Sequence, residues 1–194
     1  MRYAFMIAVI VGASSSACLA NALISPGPHA AIAQSRLSAT PDGQWNRLSR
    51  RDGKNVELWT LDGDSLNKVT FFGGIPVGKP LLREIDKNNR PLPKVMSNML
   101  ITDIPALLES TYRSQFSVNQ IQIETQEPAL LDGNKGIRFT YAFTRADDEV
   151  LRKGEGIGAM VGGQLYLVTY EAPSLYFFEK DLEKFHKLIT TLKL

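Results

Sequence analysis

The sequence is poor in the residues from which reactive sites are most often built. It holds one cysteine and two histidines in 194 residues. One cysteine excludes a disulfide within a monomer, and the three together leave little for metal or thiol chemistry. A surplus of one charge is missing as well. Lys and Arg number 22 against 20 Asp and Glu, a net +2, which is no electrostatic footprint for nucleic acid. A G-x-S-x-G nucleophile signature is absent, and so is any histidine beside a serine. The apolar stretch at residues 3–13 is only eleven residues long, short of the ~20 needed to span a bilayer. What is present is ordinary for a globular protein: 44% hydrophobic and 22% charged residues, which excludes wholesale disorder.

The amino terminus reads as an export signal. Arg2 precedes the stretch Tyr3 to Ala13, and small residues follow at once. A basic residue, a short apolar run and small residues describe a secretory leader. Ser15-Ser16-Ala17-Cys18 comes next and contains the sole cysteine of the chain. This tetrapeptide resembles the lipobox of bacterial lipoproteins, with Ser15 where leucine is usual. The resemblance implies cleavage before Cys18 and a diacylglyceryl group on its thiol. Two acyl chains make such an anchor effectively permanent. Leu19 after the cysteine, in a Gram-negative cell, implies the periplasmic face of the outer membrane. Ala20-Asn21-Ala22 offers the alternative, simple secretion with cleavage after Ala22.

Residues 18–43 read as the lipidated cysteine and a flexible tether. They are rich in Ala, Ser and Pro, include Pro26-Gly27-Pro28, and carry charge only at Arg36 and Asp42. His29 has no second ligand nearby in sequence. Residues 44–194 then read as one α+β domain, and residues 1–17 as the signal peptide.

Hydrophobic period gives the domain its elements. Residues 45–48, 55–61 and 68–72 are strand-like by β-branched and aromatic content, and 81–85 more weakly so. Thr102-Asp103 offers a helix cap. Ile104, Leu107, Leu108, Tyr112 and Phe116 form one apolar stripe behind it. Residues 120–125 alternate as a strand with one wet face. Ile137, Phe139, Tyr141 and Phe143 alternate with more polar neighbours, and the chain returns over 150–161. It then turns at Gly162-Gly163 and leaves again over 164–170. The last of these three meander strands is apolar on both faces, so it expects a layer on each side. Phe178, Leu182, Phe185, Ile189 and Leu192 step by four and three through a final helix. The expected fold is α+β: a mainly antiparallel sheet with helices packed on it, ending in a C-terminal helix after a three-strand meander. This order, with Gly162-Gly163-Gln164-Leu165-Tyr166 running into Phe177-Phe178, resembles the PsbP-like α/β/α sandwich. The resemblance implies a non-enzymatic domain that binds and stabilises partners.

Few motifs suggest chemistry. Gly154-Glu155-Gly156-Ile157-Gly158-Ala159 fits G-x-G-x-x-A, but it lacks the strand-to-helix context of a dinucleotide site. It reads instead as a glycine-rich strand that lets side chains pack closely. Asp147-Asp148-Glu149 lacks the spacing of a calcium loop. Arg50-Arg51 reads as a turn, since two charges facing headgroups are weak at physiological salt. His186 lies off the apolar stripe of the last helix. An enzyme would need carboxylates such as Glu57, Glu84 or Glu155 to converge in a cleft. The densest aromatic run, Tyr170, Pro173, Tyr176 and Phe177, is the candidate partner surface. The expectation is an envelope lipoprotein with a protein-binding or scaffolding role, without cofactor or metal and without nucleic acid. An envelope hydrolase or a carrier of small apolar ligands is the alternative.

Overall fold

The computed structural model of the protein describes residues 21–116, 118–145 and 149–194. The leader, the Cys18 junction, Ala20 of the alternative cleavage site, and Asp147-Asp148 of the acidic run lie outside them. Among the described residues, eight strands form one antiparallel sheet in the order β1-β2-β3-β4-β8-β7-β6-β5. They are β1 Ala22–Ile24, β2 Trp45–Arg47, β3 Val56–Thr60 and β4 Lys68–Pro76. Then come β5 Val118–Leu131, β6 Asn134–Arg145, β7 Leu151–Val161 and β8 Gln164–Pro173. Helix α1, Ile104–Gln115, covers one face, and helix α2, Phe177–Thr190, covers the other. This is the α+β sandwich that the hydrophobic pattern implies.

The alternation of β8 explains the layering. Leu165 and Leu167 face α1, while Tyr166, Val168, Tyr170 and Ala172 face α2. A strand buried on both faces needs cover on both. On the α1 side, Ile104, Leu107, Leu108 and Tyr112 are buried. On the α2 side, Phe178, Phe185 and Leu188 are buried, and Phe185 stacks on Tyr170 at 5.4 Å between ring centres. Asp181 is buried on the same helix and satisfied. It accepts from Asn67 Nδ2 at 3.0 Å and pairs with Lys184 at 2.8 Å.

The glycines of β7 have a steric cause. A Cβ at Gly154 would lie 2.2 Å from the Tyr141 ring, and one at Gly156 would lie 2.6 Å from the Phe139 ring. Two rings of β6 therefore lie across the bare backbone of the neighbouring strand. That is what the G-x-G-x-x-A pattern encodes. Gly162-Gly163 turns with φ of +59° and +74°, which suits a two-residue hairpin.

Several elements differ from the sequence reading. The segment read as a tether is packed. Ile24, Ile32, Ala33, Leu37 and Ala39 are buried in the α2-side core. His29 and Ala39 pair as a bridge, and Ser38 exchanges backbone hydrogen bonds with Lys193. Its apolar residues follow no period of two or 3.6, so neither template finds them. Residues 81–85 are not a strand. They join no strand of the sheet: Leu81 and Leu82 are buried, while Ile85 is 83% exposed. Strand β5 runs on past residue 125 to a hairpin turn at Asp132-Gly133, so the meander has four strands. Asp103 stands at the N-cap position of α1, but its side chain makes no cap hydrogen bond to the helix. Its carboxylate accepts the Leu100 N–H at 2.9 Å, inside the short turn that precedes the helix.

Two stability measurements check this packing. Phe185→Ala is expected to cost roughly 3–5 kcal/mol in denaturant unfolding. A chain starting at Gln44 is expected to unfold several kcal/mol more easily than one starting at Asn21. It loses three fully buried aliphatics, Ile24, Ile32 and Leu37, each worth about 1.5–3 kcal/mol. Equal midpoints for the two chains would show that the N-terminal segment is not part of the core.

Candidate functional site

The site begins with one residue pair. Lys68 on β4 stands directly opposite Glu171 on β8. Alternation turns both toward the α1 face, where the surroundings are otherwise apolar. Glu171 is 5% exposed. Lys68 Nζ lies 3.1 Å from its Oε2, Tyr141 Oη donates to Oε1 at 2.7 Å, and Tyr112 Oη donates to the same oxygen. Burial by itself raises this carboxyl. Lys68 and the two hydroxyls outweigh burial and hold it below the ordinary glutamate range. Both tyrosines are pushed well above the phenol range, first by burial and then by the Glu171 charge. They therefore keep their protons and act as donors.

This network floors a cavity of about 390 Å³ at the C-terminal end of α1. The cations Arg50, Arg51, Lys68, Arg83, Arg145 and Arg152 line it, against the carboxylates Asp52, Asp64 and Glu171. Among the described lining residues cations outnumber carboxylates six to three, in a chain whose net charge is only +2. Rings supply the other part of the wall. Tyr112 meets Phe116 at 5.2 Å and Phe143 at 5.6 Å, both edge to face. Arg50 is held by Asp52 at 3.0 Å and Asp64 at 2.9 Å, and Arg152 donates to the Ser65 carbonyl at 2.9 Å. The walls are thus part charged and part aromatic, unlike the enclosed apolar chamber that a carrier of small apolar ligands needs.

The residues singled out in the sequence are dispersed. Glu57 is buried but occupied by structure, accepting from Trp59 Nε1 at 2.8 Å and the Ala33 N–H at 3.1 Å. Glu84 accepts the Leu92 N–H at 3.2 Å. Glu155 pairs with Arg138 at 2.6 Å and with His186 at 3.1 Å, under α2. The three carboxylates share no partner and do not converge. His29 bonds the Ser25 carbonyl at 2.7 Å and lies edge-on to Trp59. Tyr170 is fully buried, and its hydroxyl donates toward the carbonyls of Phe177 and Phe178. It is a core residue and leaves the proposed partner surface. Tyr176 is 65% exposed, and Pro173 and Phe177 are half-buried.

Arg50-Arg51 reads as a turn in the sequence and is one wall of the cavity in the structure. The other cations come from β4, β6, β7 and the loop after β4, so no local spacing could have joined them. The dipeptide itself was the one visible sign.

The arrangement of layers and strands decides the comparison with known structures. The fold is the PsbP-like sandwich. Cyanobacterial PsbP (CyanoP) from Synechocystis sp. PCC 6803 superposes with a TM-score of 0.50, at 11% identity. The match covers 94% of this chain and 97% of that one. At that identity the likeness is one of fold alone. LpqN, involved in cell envelope biogenesis of Mycobacterium tuberculosis, is 7% identical over 92% of this chain and 86% of its own. Its TM-score of 0.33 is too low to carry an argument. No family model matches the chain, and no curated protein matches it. Among the described residues of this PsbP-like domain, no helix is long and apolar enough to cross a membrane.

The Glu171 network sets an acid limit on stability. A carboxyl held low in the fold releases its proton more readily there than in the unfolded chain. Its stabilisation is therefore complete above about pH 5 and is lost as pH falls through the unfolded value near 4.3 toward the folded one. Glu171→Gln is expected to flatten the fall in melting temperature over this acid range. Glu171→Ala is expected to cost about 3–5 kcal/mol, because it leaves the partly buried Lys68 without its counter-charge and the buried hydroxyls of Tyr112 and Tyr141 without their acceptor. Parallel pH profiles for the wild type and Glu171→Gln would contradict the network.

Proposed function

We propose that this chain is an exported binding module of the cell envelope, anchored through a lipid on Cys18 and carrying no catalytic set of its own. The supporting observation is where the fold starts. Asn21 Oδ1 accepts the Ser49 N–H at 3.0 Å, and Ala22 is already paired with Arg47 in the sheet. Cleavage before Cys18 leaves this first strand whole. Cleavage after Ala22 removes Asn21 and its hydrogen bond and clips β1 at its first residue. Cys18 precedes Asn21 by three residues. The binding reading also agrees with the separation of Glu57, Glu84 and Glu155, which do not converge in one cleft.

A protein partner in the envelope is part of this proposal. Its contact region is reduced to Pro173, Tyr176 and Phe177, together with Leu175, which is 93% exposed. The backbone of Ser174 is tied to Leu151, so this corner is a rigid mount for exposed apolar groups.

Fatty-acid labelling of the wild type and Cys18→Ser in a bacterial host tests the anchor. Label is expected on the wild type alone, and a mature terminus at Leu23 would refute it. The contact region has its own check. Tyr176→Ala is expected to melt within a degree or two of the wild type, as surface substitutions do. Tyr170→Ala is expected to lose about 3–5 kcal/mol as a core aromatic truncation.

A further inference from the structure

We infer that the cationic cavity at the end of α1 is a phosphate-group site, filled in the envelope by the headgroup of an anionic phospholipid. The choice of lipid rests on the Cys18 anchor proposed above, whereas the phosphate chemistry does not.

Three observations carry it. The first is that two of the cations, Arg51 and Arg83, have no carboxylate partner among the described residues. Asp52 and Asp64 hold Arg50, and Glu171 holds Lys68. Arg51 meets a neutral partner, the side-chain amide of Gln34, whose oxygen accepts from Nη1 at 2.7 Å once the amide is turned to satisfy both its ends. Arg83 is exposed and makes no side-chain hydrogen bond or ion pair among the described residues. Planar guanidinium forks suit phosphate oxygens better than point charges do.

The second is that Arg51 and Arg83 stand on the ridge between two cavities. The other, about 630 Å³, adds Lys54 and Lys79 against a single carboxylate, Glu84. Its remaining wall is largely apolar, with Ile75, Pro80, Leu81 and Leu82. The first cavity has its rings and, on the rim, the exposed Ile85. A charged ridge with apolar walls on both sides suits a ligand with an anionic head and an apolar body.

The third is position. Asn21 is hydrogen-bonded to Ser49, the residue before Arg50. Cys18 is three residues before Asn21, a reach of at most about 10 Å. An acyl anchor at Cys18 therefore holds the Arg50-Arg51 wall at headgroup depth. A flexible 25-residue tether would have left this contact to chance, but the packed N-terminal segment does not allow that freedom.

The test uses the full-length protein purified in neutral detergent. It is titrated with inorganic phosphate, with glycerol phosphate, and with micelles doped with phosphatidylglycerol or phosphatidylcholine. Binding is read by ³¹P line broadening and by melting temperature. Phosphatidylglycerol is expected to bind and phosphatidylcholine not, with glycerol phosphate competing. The double variant Arg51→Ala, Arg83→Ala is expected to weaken binding roughly tenfold or more, as the loss of charge-assisted hydrogen bonds does. Lys135→Ala with Lys187→Ala removes the same charge from other exposed sites and is expected to change it less than about twofold. Equal weakening by the two double variants overturns the site, and so does no binding of any phosphate compound. Binding of glycerol phosphate without phosphatidylglycerol overturns the lipid as its source and keeps the phosphate site. Cys18 labelling on the same preparation separates the two readings. Lipidated protein that binds nothing refutes the site alone. Unlipidated protein that binds glycerol phosphate refutes the anchor alone.

Discussion

Glu171 carries its charge in the middle of an apolar layer, and four elements are organised around it. Its own strand β8 sits at the centre of the sheet. Lys68 comes from β4 on one side, Tyr141 from β6 two strands away on the other, and Tyr112 from α1 above. A buried carboxylate is tolerable only when its lone pairs are met and its charge is balanced. Meeting them fixes the sideways position of α1, because Tyr112 must reach Oε1 from the last turn of that helix. The position of α1 in turn sets the mouth of the cavity, whose rings belong to Tyr112 and Phe116. The same charge pair therefore registers helix on sheet and floors the candidate site. A hydrophobic pair at 68 and 171 would pack more simply, but it would leave both tyrosine hydroxyls without acceptors.

The glycines of β7 solve a related problem. Phe139 and Tyr141 are both fully buried on β6, and both lie toward α1. Two large rings on alternate residues fill more space than one strand's width, so they spill over the neighbour. Gly154 and Gly156 give up their side chains to receive them. Tyr141 can then reach Glu171 over the top of β7, with Gly154 paired directly to Glu171 in the sheet. The backbone of β7 is thus the passage through which the β6 hydroxyl meets the β8 carboxylate. A motif that suggests a nucleotide loop in one dimension is a packing device in three.

How much of this was legible follows from what periodicity can carry. Strand β6 and helix α2 were readable because their apolar residues repeat at two and at 3.6, and β7 and β8 because Gly162-Gly163 marks the turn between them. The N-terminal segment was not. Ile24, Ile32 and Leu37 are anchored one by one, and the segment satisfies its backbone by bridging His29 to Ala39 and Ser38 to Lys193, contacts that have no sequence signature. The extension of β5 could have been found from Asp132-Gly133, a two-residue hairpin signal whose φ values of +47° and +75° fit a primed turn. Tyr170 was misplaced for a different reason. An aromatic run at an element boundary looks like a surface anchor, yet its ring stacks on Phe185 and its hydroxyl finds carbonyls at the start of α2. The cavity was illegible as a whole. Its cations are drawn from positions 50 to 152, and a net charge of +2 gives no hint that six cations are gathered on one face among the described residues.

That gathering carries the electrostatic argument further than the net charge does. A uniform +2 spread over a domain of this size produces a weak field that salt screens within about 8–10 Å. Six cations around one concave wall, partly shielded from water by rings, focus their field into the opening. The acids that accompany them act selectively. Asp52 and Asp64 fasten Arg50 in place, and Glu171 fastens Lys68, so part of the positive wall is rigid before any anion arrives. Preorganised charge costs little to bind against, since the side chains need not be ordered afterwards. Rigidity at the wall, a short reach from Cys18 and apolar flanks all act on the same few ångströms of surface. Each is a separate consequence of how the chain packs, so the charge of the cavity and the apolar wall beside it come from different parts of one sheet-and-helix frame.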